Sequence, residues 1–150
     1  MSKLTPESAA AQDFIPLMQE LAAAYQAFSL YDAEGLRTSR SGLTPSQARV
    51  IFTLGDTDGL TCKDIGDETL ITKGTLTGVV DRLEEKGLVE RWSVEGDGRK
   101  TIVALTRKGQ RVYQREFPRH IEFLKTRFDN MSARDRNQAV TLLAKIRKLF

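Results

Sequence analysis

The residues best suited to chemistry lie in two short stretches, and the chemistry they suit is recognition of a polyanion. Thr72, Lys73, Gly74, Thr75 and Thr77 crowd the start of one helical pattern, with Arg82 further along it. A threonine hydroxyl donates or accepts, its methyl can rest on a thymine methyl, and a lysine reaches guanine or phosphate. Arg82 is better placed for phosphate. Arg99 stands in Glu95-Gly96-Asp97-Gly98-Arg99-Lys100, where glycines let a loop approach a groove closely. A guanidinium there is attracted to the negative potential of a narrow A·T-rich minor groove. The plainer alternatives are that the threonines are only caps and that the charged turn only keeps the chain soluble.

Two further groups invite chemistry and support less of it. Cys62 follows Thr61 at the first position of a short helix, where the helix dipole can lower a thiol pKa. It is a candidate oxidant sensor, against the plainer reading of a small, half-buried filler. His120 is the only histidine. One His and one distant Cys cannot supply the three or four ligands of a zinc site, so His120 is expected on a helix surface or at an interface. No nucleophile–base pair, glycine-rich phosphate loop or paired-carboxylate motif stands out. Asp81, Glu84 and Glu85 read as solvated charges and ion-pair partners on a helix. The expectation is no enzyme, no catalytic residue, no metal and no cofactor.

The elements that must position these residues are punctuated clearly. Asp13 is placed to cap a helix with Pro16 in its first turn, and Phe14, Met18, Leu21, Tyr25 and Phe28 form a narrow apolar seam along it. Residues 32–43, with Gly35, Ser39, Ser41 and Gly42, read as a loop. Thr44-Pro45-Ser46-Gln47 is a capping box opening a helix that turns Val50, Ile51 and Leu54 inward. Thr61 caps a short helix, with Asp64 in the capping-box position and Ile65 inward. Thr72 caps a third helix, with Leu76, Val79, Val80 and Leu83 on one face and its end at Gly87. Two β-like runs, Leu88–Val94 and Thr101–Leu105, flank the Glu95–Lys100 turn as a hairpin. Thr106 opens another helix that Pro118 should kink or interrupt, and Ser132 caps a last one bearing Val140, Leu143, Ile146 and Phe150.

This order predicts a mainly α fold with a small β-hairpin wing. Residues 43–111 form a winged helix-turn-helix, and residues 1–34 and 112–150 form a helical dimerisation region. The apolar seams of the terminal helices favour dimerisation; a monomeric helical bundle is the alternative. Charge is divided unevenly: residues 1–70 carry five basic and ten acidic side chains, residues 71–115 ten and six, and residues 116–150 eight and four. The positive excess in the second half suits a polyanion partner, or else a solvated basic face. No apolar run nears the roughly 18 residues that span a bilayer, and the start lacks a signal-peptide stretch. With a single cysteine, the chain is expected in a reducing cytoplasm and away from membranes.

Four segments together resemble the MarR family of bacterial transcription regulators. They are Leu43-Thr44-x-x-Gln47, the run from Val80 through Asp81-Arg82-Leu83-Glu84-Glu85-Lys86-Gly87-Leu88 to Val89, Asp97-x-Arg99, and Leu105-Thr106-x-x-Gly109. The resemblance covers about residues 43–110 and implies a homodimer on double-stranded DNA at an inverted-repeat operator. It further implies that Arg99 enters the minor groove, that Asp97 orients it, and that Arg91 and Lys100 add phosphate contacts. Repression would be relieved by a small aromatic or phenolic effector. Gly74 and Gly78 depart from the family, which more often carries polar side chains there, and each glycine weakens the helix by roughly 0.5–1 kcal/mol. The alternative function is a winged-helix module for non-specific nucleic-acid or protein-partner binding.

Overall fold

The computed structural model describes residues 3–94 and 96–150, with the backbone alone at 97–99. It divides into two compact units, residues 1–34 and residues 35–150.

The first unit holds α1 (Pro6–Ala10) and most of α2 (Ile15–Arg37). The short α1 escaped the sequence reading because its capping box uses Ser8 where Glu or Gln is usual. Thr5 Oγ1 accepts from the Ser8 N–H, and Ser8 Oγ accepts from the Thr5 N–H. Phe14, Met18, Tyr25 and Phe28 of the seam are all exposed, as are Leu17 and Leu30.

The second unit begins inside α2. The loop expected over 32–43 starts late, because the helix runs on through Gly35 to Arg37. Gly35 is a close-packing site here: a Cβ on it would lie 2.4 Å from the Phe123 ring. Then follow α3 (Pro45–Leu54), β1 (Leu60–Thr61), α4 (Cys62–Thr69), α5 (Lys73–Glu85), β2 (Val89–Val94), β3 (Asp97–Leu105), α6 (Arg107–Phe128) and α7 (Ala133–Arg147). The antiparallel sheet has the order β1-β3-β2, with Leu60 opposite Val103 and Trp92 opposite Ile102. β1 is too short to show a period in sequence. Asp97 pairs with Val94 across an irregularity after Ser93, so Asp97–Lys100 belong to a strand where a turn was expected.

The core is the meeting place of these elements. Val50, Ile51 and Leu54 of α3, Ile65 of α4, and Leu76, Val80 and Leu83 of α5 are buried with Leu88, Val89, Val103 and Leu105 of the wing. Each buried aliphatic side chain contributes about 1.5–3 kcal/mol relative to exposure. The Thr44–Gln47 capping box forms as predicted, at 3.2 and 3.1 Å.

Of the kink or break expected at Pro118, the break is excluded: α6 is continuous from Arg107 to Phe128. Packing on both sides of the proline outweighs one lost backbone bond, since Phe117 stacks on Tyr113 at 5.2 Å and meets Phe52 edge-on at 5.3 Å. His120 is buried, not on the surface; its ring lies 5.7 Å from that of Phe52 and stacks on Phe123 at 6.2 Å.

Candidate nucleic-acid interface

In a helix-turn-helix the second helix is held proud of the body by a partner helix and a turn. α4 and the turn after it stand in that relation to α5. Thr61 Oγ1 accepts from the Asp64 N–H at 3.1 Å and donates to the Asp64 carboxylate at 2.8 Å; the bond from Asp64 back to the cap's backbone, expected of a capping box, is replaced by this side-chain pair. Ile65 anchors the helix in the core. The turn is Leu70-Ile71-Thr72. Leu70 adopts φ 58° and ψ 18° and donates its N–H to the Gly66 carbonyl at 2.9 Å, which ends α4. It is the one non-glycine residue with positive φ among the described residues, and its side chain is 75% exposed. A β-carbon in this region is strained, so the turn stores a little energy.

α5 emerges with Leu76, Val80 and Leu83 buried and Thr72, Lys73, Gly74, Thr75, Thr77, Gly78 and Arg82 exposed. Thr72 occupies the N-cap position as expected but makes no side-chain capping bond; its hydroxyl donates to Thr75 Oγ1 at 3.2 Å. Thr77 donates to the Lys73 carbonyl at 3.1 Å. A Cβ added at Gly74 or Gly78 would meet no heavy atom within 4 Å. The glycines are thus not required by packing, and four residues apart they bare one strip of helix backbone.

The wing lies beside this helix. Lys73, Leu76 and Thr77 of α5, with Lys100 and Thr101 of β3, line a cleft of about 880 Å³ whose other wall is α4. Lys100 is exposed. The side chains of Asp97 and Arg99, and the carboxylate contact expected between them, lie outside the described residues. Cys62 is half-buried against the core and lines the same cleft. Arg91, expected on phosphate, is engaged by two carboxylates of α5: its Nε and Nη2 donate to Glu84 at 3.1 and 3.0 Å, and Nη2 lies 2.8 Å from Asp81. These bonds hold Glu84 below the usual carboxylate range and raise the Arg91 guanidinium. Arg91 therefore braces strand against helix. Trp92, the sole tryptophan, is a wing residue the sequence reading passed over; it is 44% exposed, and an aromatic inside the polar run Glu90-Arg91-Trp92-Ser93 was the available signal.

The back of the lobe explains two of the sequence motifs. Thr106 caps α6 by accepting from the Gly109 N–H at 3.1 Å and donates to the Gly87 carbonyl at 2.6 Å. Gly109 lies so close to the strand that a Cβ would come within 2.0 Å of the Leu88 carbonyl oxygen. Lys108 Nζ donates to the Lys86 carbonyl at 3.0 Å. Thus Leu105-Thr106-x-x-Gly109 and Glu85-Lys86-Gly87-Leu88 are two halves of one joint. A second brace is Glu116, 5% exposed, which accepts from Ser39 Oγ, from Arg115 Nε at 2.8 Å and from Arg119 Nε at 3.1 Å. Burial pushes its carboxyl up, but the Ser39, Arg115 and Arg119 donors outweigh burial and hold it below the ordinary value.

Among the described residues no group of three or more His, Cys, Asp and Glu side chains could hold a metal ion, and no helix is long and apolar enough to cross a membrane.

Comparison with known proteins agrees with this geometry. Residues 41–100 match the model of the MarR family. The homoprotocatechuate degradative operon repressor of Escherichia coli is 34% identical over 76 residues, 51% of each chain. The chain thus spans about half the length of the curated relatives it matches. Among solved structures, Bordetella bronchiseptica BpsR, studied for the regulation of its DNA binding by 6-hydroxynicotinic acid, is 26% identical with a TM-score of 0.72, over 85% of this chain and 98% of that one. Staphylococcus aureus MepR, in a DNA complex, shares the fold at 21% identity and a TM-score of 0.74, over 86% and 97%. The stretch that matches the MarR family, residues 41–100, is the stretch that holds the helix pair and most of the wing.

Proposed function

We propose that two copies of this chain bind an inverted repeat in double-stranded DNA and regulate transcription there, each laying α5 in the major groove and its wing in the adjacent minor groove. The observation that carries the reading is the convergence of Lys73 and Thr77 of α5 with Lys100 of β3 around one open cleft. Base edges fall to Thr72, Lys73, Thr75 and Thr77, with the helix backbone approaching at Gly74 and Gly78. Arg82 and Lys100 take phosphates, and Arg99, oriented by Asp97, enters the minor groove. Arg91 keeps the wing at a fixed angle to α5 so that both elements meet one duplex.

Residues 43–111 are the DNA-binding part in this reading, and residues 1–34 and 112–150 the dimerisation region. Support comes from apolar side chains left exposed on α2 (Phe14, Met18, Tyr25) and, separately, on α6 and α7 (Phe128, Val140, Leu143). A two-fold dimer presenting its recognition helices about 34–36 Å apart reads half-sites one turn apart. The effector is a small aromatic or phenolic anion, of which a hydroxylated aromatic acid is one kind. Support is chemical: homoprotocatechuate, which names the operon of the E. coli repressor, and 6-hydroxynicotinic acid, which regulates BpsR, are both such acids. A coupling of about 1–3 kcal/mol between effector and DNA would switch binding 5- to 150-fold.

One observation favours a second reading, a module for general nucleic-acid or protein contacts. Two of the α5 hydroxyls are already bonded within the helix, and two reading positions are glycines. Selection from a random duplex pool at near-physiological salt decides. Recovery of an inverted repeat is the expected result; bound DNA without a common motif would establish the second reading and remove the first. Quenching of the single Trp92 on titration with the selected duplex would report that the wing is engaged.

A further inference from the structure

The structure has a second cleft, on another part of the winged lobe, lined by four cationic side chains. It measures about 620 Å³ and lies where the loop before α3, the end of α5, the start of β2 and the first turns of α6 converge. Lys86, Lys108, Arg111 and Arg115 line it, and among the described residues no acidic side chain does. Arg115 is answered by Glu116. The other three cations are not paired with a carboxylate among the described residues. Lys86 Nζ instead donates to Gln47 Oε1 at 3.1 Å and to the Gly42 carbonyl at 3.4 Å, and Lys108 Nζ donates to the Lys86 carbonyl. Neutral oxygens thus hold two ammonium groups in place without cancelling their charge, while Arg111, one turn along α6 from Lys108, is exposed. Three like charges gathered in one concave site repel one another, and the arrangement gains most when a compact, multiply charged anion enters.

We propose that this cleft binds a small molecule carrying two or more linked phosphate groups. A single carboxylate would answer one of the three cations. A di- or triphosphate presents several oxygens to both lysines and to the Arg111 fork at once. The lining offers no aromatic ring on which a base could stack, so the site recognises the phosphate chain whatever it is attached to. Free polyphosphate and nucleotide di- and triphosphates are therefore equivalent sources of the ligand chemistry. The site is separate from the proposed DNA-reading residues: Lys86 stands at the far end of α5 from Lys73, thirteen residues and about 20 Å along the axis. An occupant would bridge the end of α5 to α6 and to the loop into α3, the elements that set where the recognition helix points. The inference does not depend on the DNA reading.

Calorimetric titration of the purified full chain with inorganic tripolyphosphate, and with orthophosphate for comparison, tests it at near-physiological salt. One tripolyphosphate should bind per chain, about tenfold or more tighter than orthophosphate, since each extra phosphate meets another cation. The double variant Lys108→Gln/Arg111→Gln should weaken binding about tenfold or more. The charge-matched double variant Lys73→Gln/Lys100→Gln, on the other cleft, should leave it within about twofold. ATP, with the same triphosphate, should bind like tripolyphosphate if the chain alone is recognised, and tighter if a base is read as well, which would overturn the proposed selectivity. Backbone amide shifts on the wild-type protein provide a check independent of any variant: tripolyphosphate should move Gly42, Leu88 and Val112. No binding by the wild type, equal loss in both double variants, or shifts centred on Lys73 and Thr77 would each overturn the site.

Discussion

The front and the back of the winged lobe use glycine in opposite ways. At the back, Gly109 lies against the Leu88 carbonyl and Gly35 against Phe123, and neither position has room for a Cβ. At the front, Gly74 and Gly78 face open space. Hydrogen bonding divides in the same sense. Thr106, Lys108 and Glu116 bind across the chain to Gly87, Lys86 and Ser39, whereas Thr72 and Thr77 bond only within or beside their own helix. A residue type that folding requires at the back is, at the front, a choice that folding does not explain. That contrast points to a partner at the front and lets substitutions of one kind test both regions.

The largest effect is expected at the joint. Gly109→Ala places a methyl within 2.0 Å of a backbone oxygen, which no side-chain rotation relieves. We expect a loss of about 3 kcal/mol or more, seen as a collapse of the urea midpoint or failure to fold, since overpacking against backbone exceeds the usual 1–3 kcal/mol of a core insertion. A variant as stable as wild type would show that α6 can slide on the strand, and the back would no longer count as rigid.

Next comes the buried carboxylate. Glu116→Gln keeps the shape but removes the charge facing Arg115 and Arg119. Both arginines are partly exposed, which limits the penalty to about 1–3 kcal/mol at neutral pH. The sign of the pH effect follows from the lowered carboxyl. The unfolded group titrates near 4.5 and the folded one below it, so the folded state binds fewer protons. The stabilisation is complete above about pH 4.5 and is lost as the pH falls through the folded value. Wild type should lose stability on acidification from pH 5 more steeply than Glu116→Gln, and parallel acid limbs would exclude Glu116 as a brace.

These two sites also mark what the sequence could and could not disclose. Caps were legible because Thr44, Thr61, Thr106 and Ser132 act within three residues of themselves, and the core was legible because its periods of 3 and 4 are local. The winged order followed from both. The break at Pro118 and the loop at Gly35 were misread because each residue is a local helix breaker whose cost is outweighed by packing against residues distant in sequence. β1 and the buried state of His120 depend wholly on such partners. At the site, the exposed face of α5 could be read by subtraction from its buried face. The engagement of Arg91 by Asp81 and Glu84 could not, since pairing across seven and ten residues depends on how the wing folds back.

The front should respond in the opposite direction. Gly74→Ala and Gly78→Ala each fill open space on an exposed helix, so each should raise stability by about 0.5–1 kcal/mol. If the bare backbone is there to approach DNA, the same changes should weaken binding to the selected duplex while raising the melting temperature. A gain in both stability and affinity would mean that the glycines serve neither folding nor contact, and the contrast with Gly109 would lose its functional half.

The smallest effect is expected at the turn that presents the front. Leu70 has positive φ, and its side chain is mostly solvent-exposed, so Leu70→Gly relieves backbone strain while giving up little burial. Glycine also gains freedom in the unfolded chain, which offsets part of that relief. The net should be a stabilisation of about 0.5 kcal/mol or less, measurable as a shift of about one or two degrees in melting temperature. Because the Gly66 carbonyl bond that ends α4 is made by the backbone of residue 70, the turn itself should persist. What the variant loses is an apolar side chain on the wall of the cleft shared by α5 and the wing. Stabilisation with weakened duplex binding would place Leu70 among the residues kept for a partner at some cost to the fold. Destabilisation would show instead that the leucine packs in solution, and strain at the front would then be a consequence of folding, as the glycines are at the back.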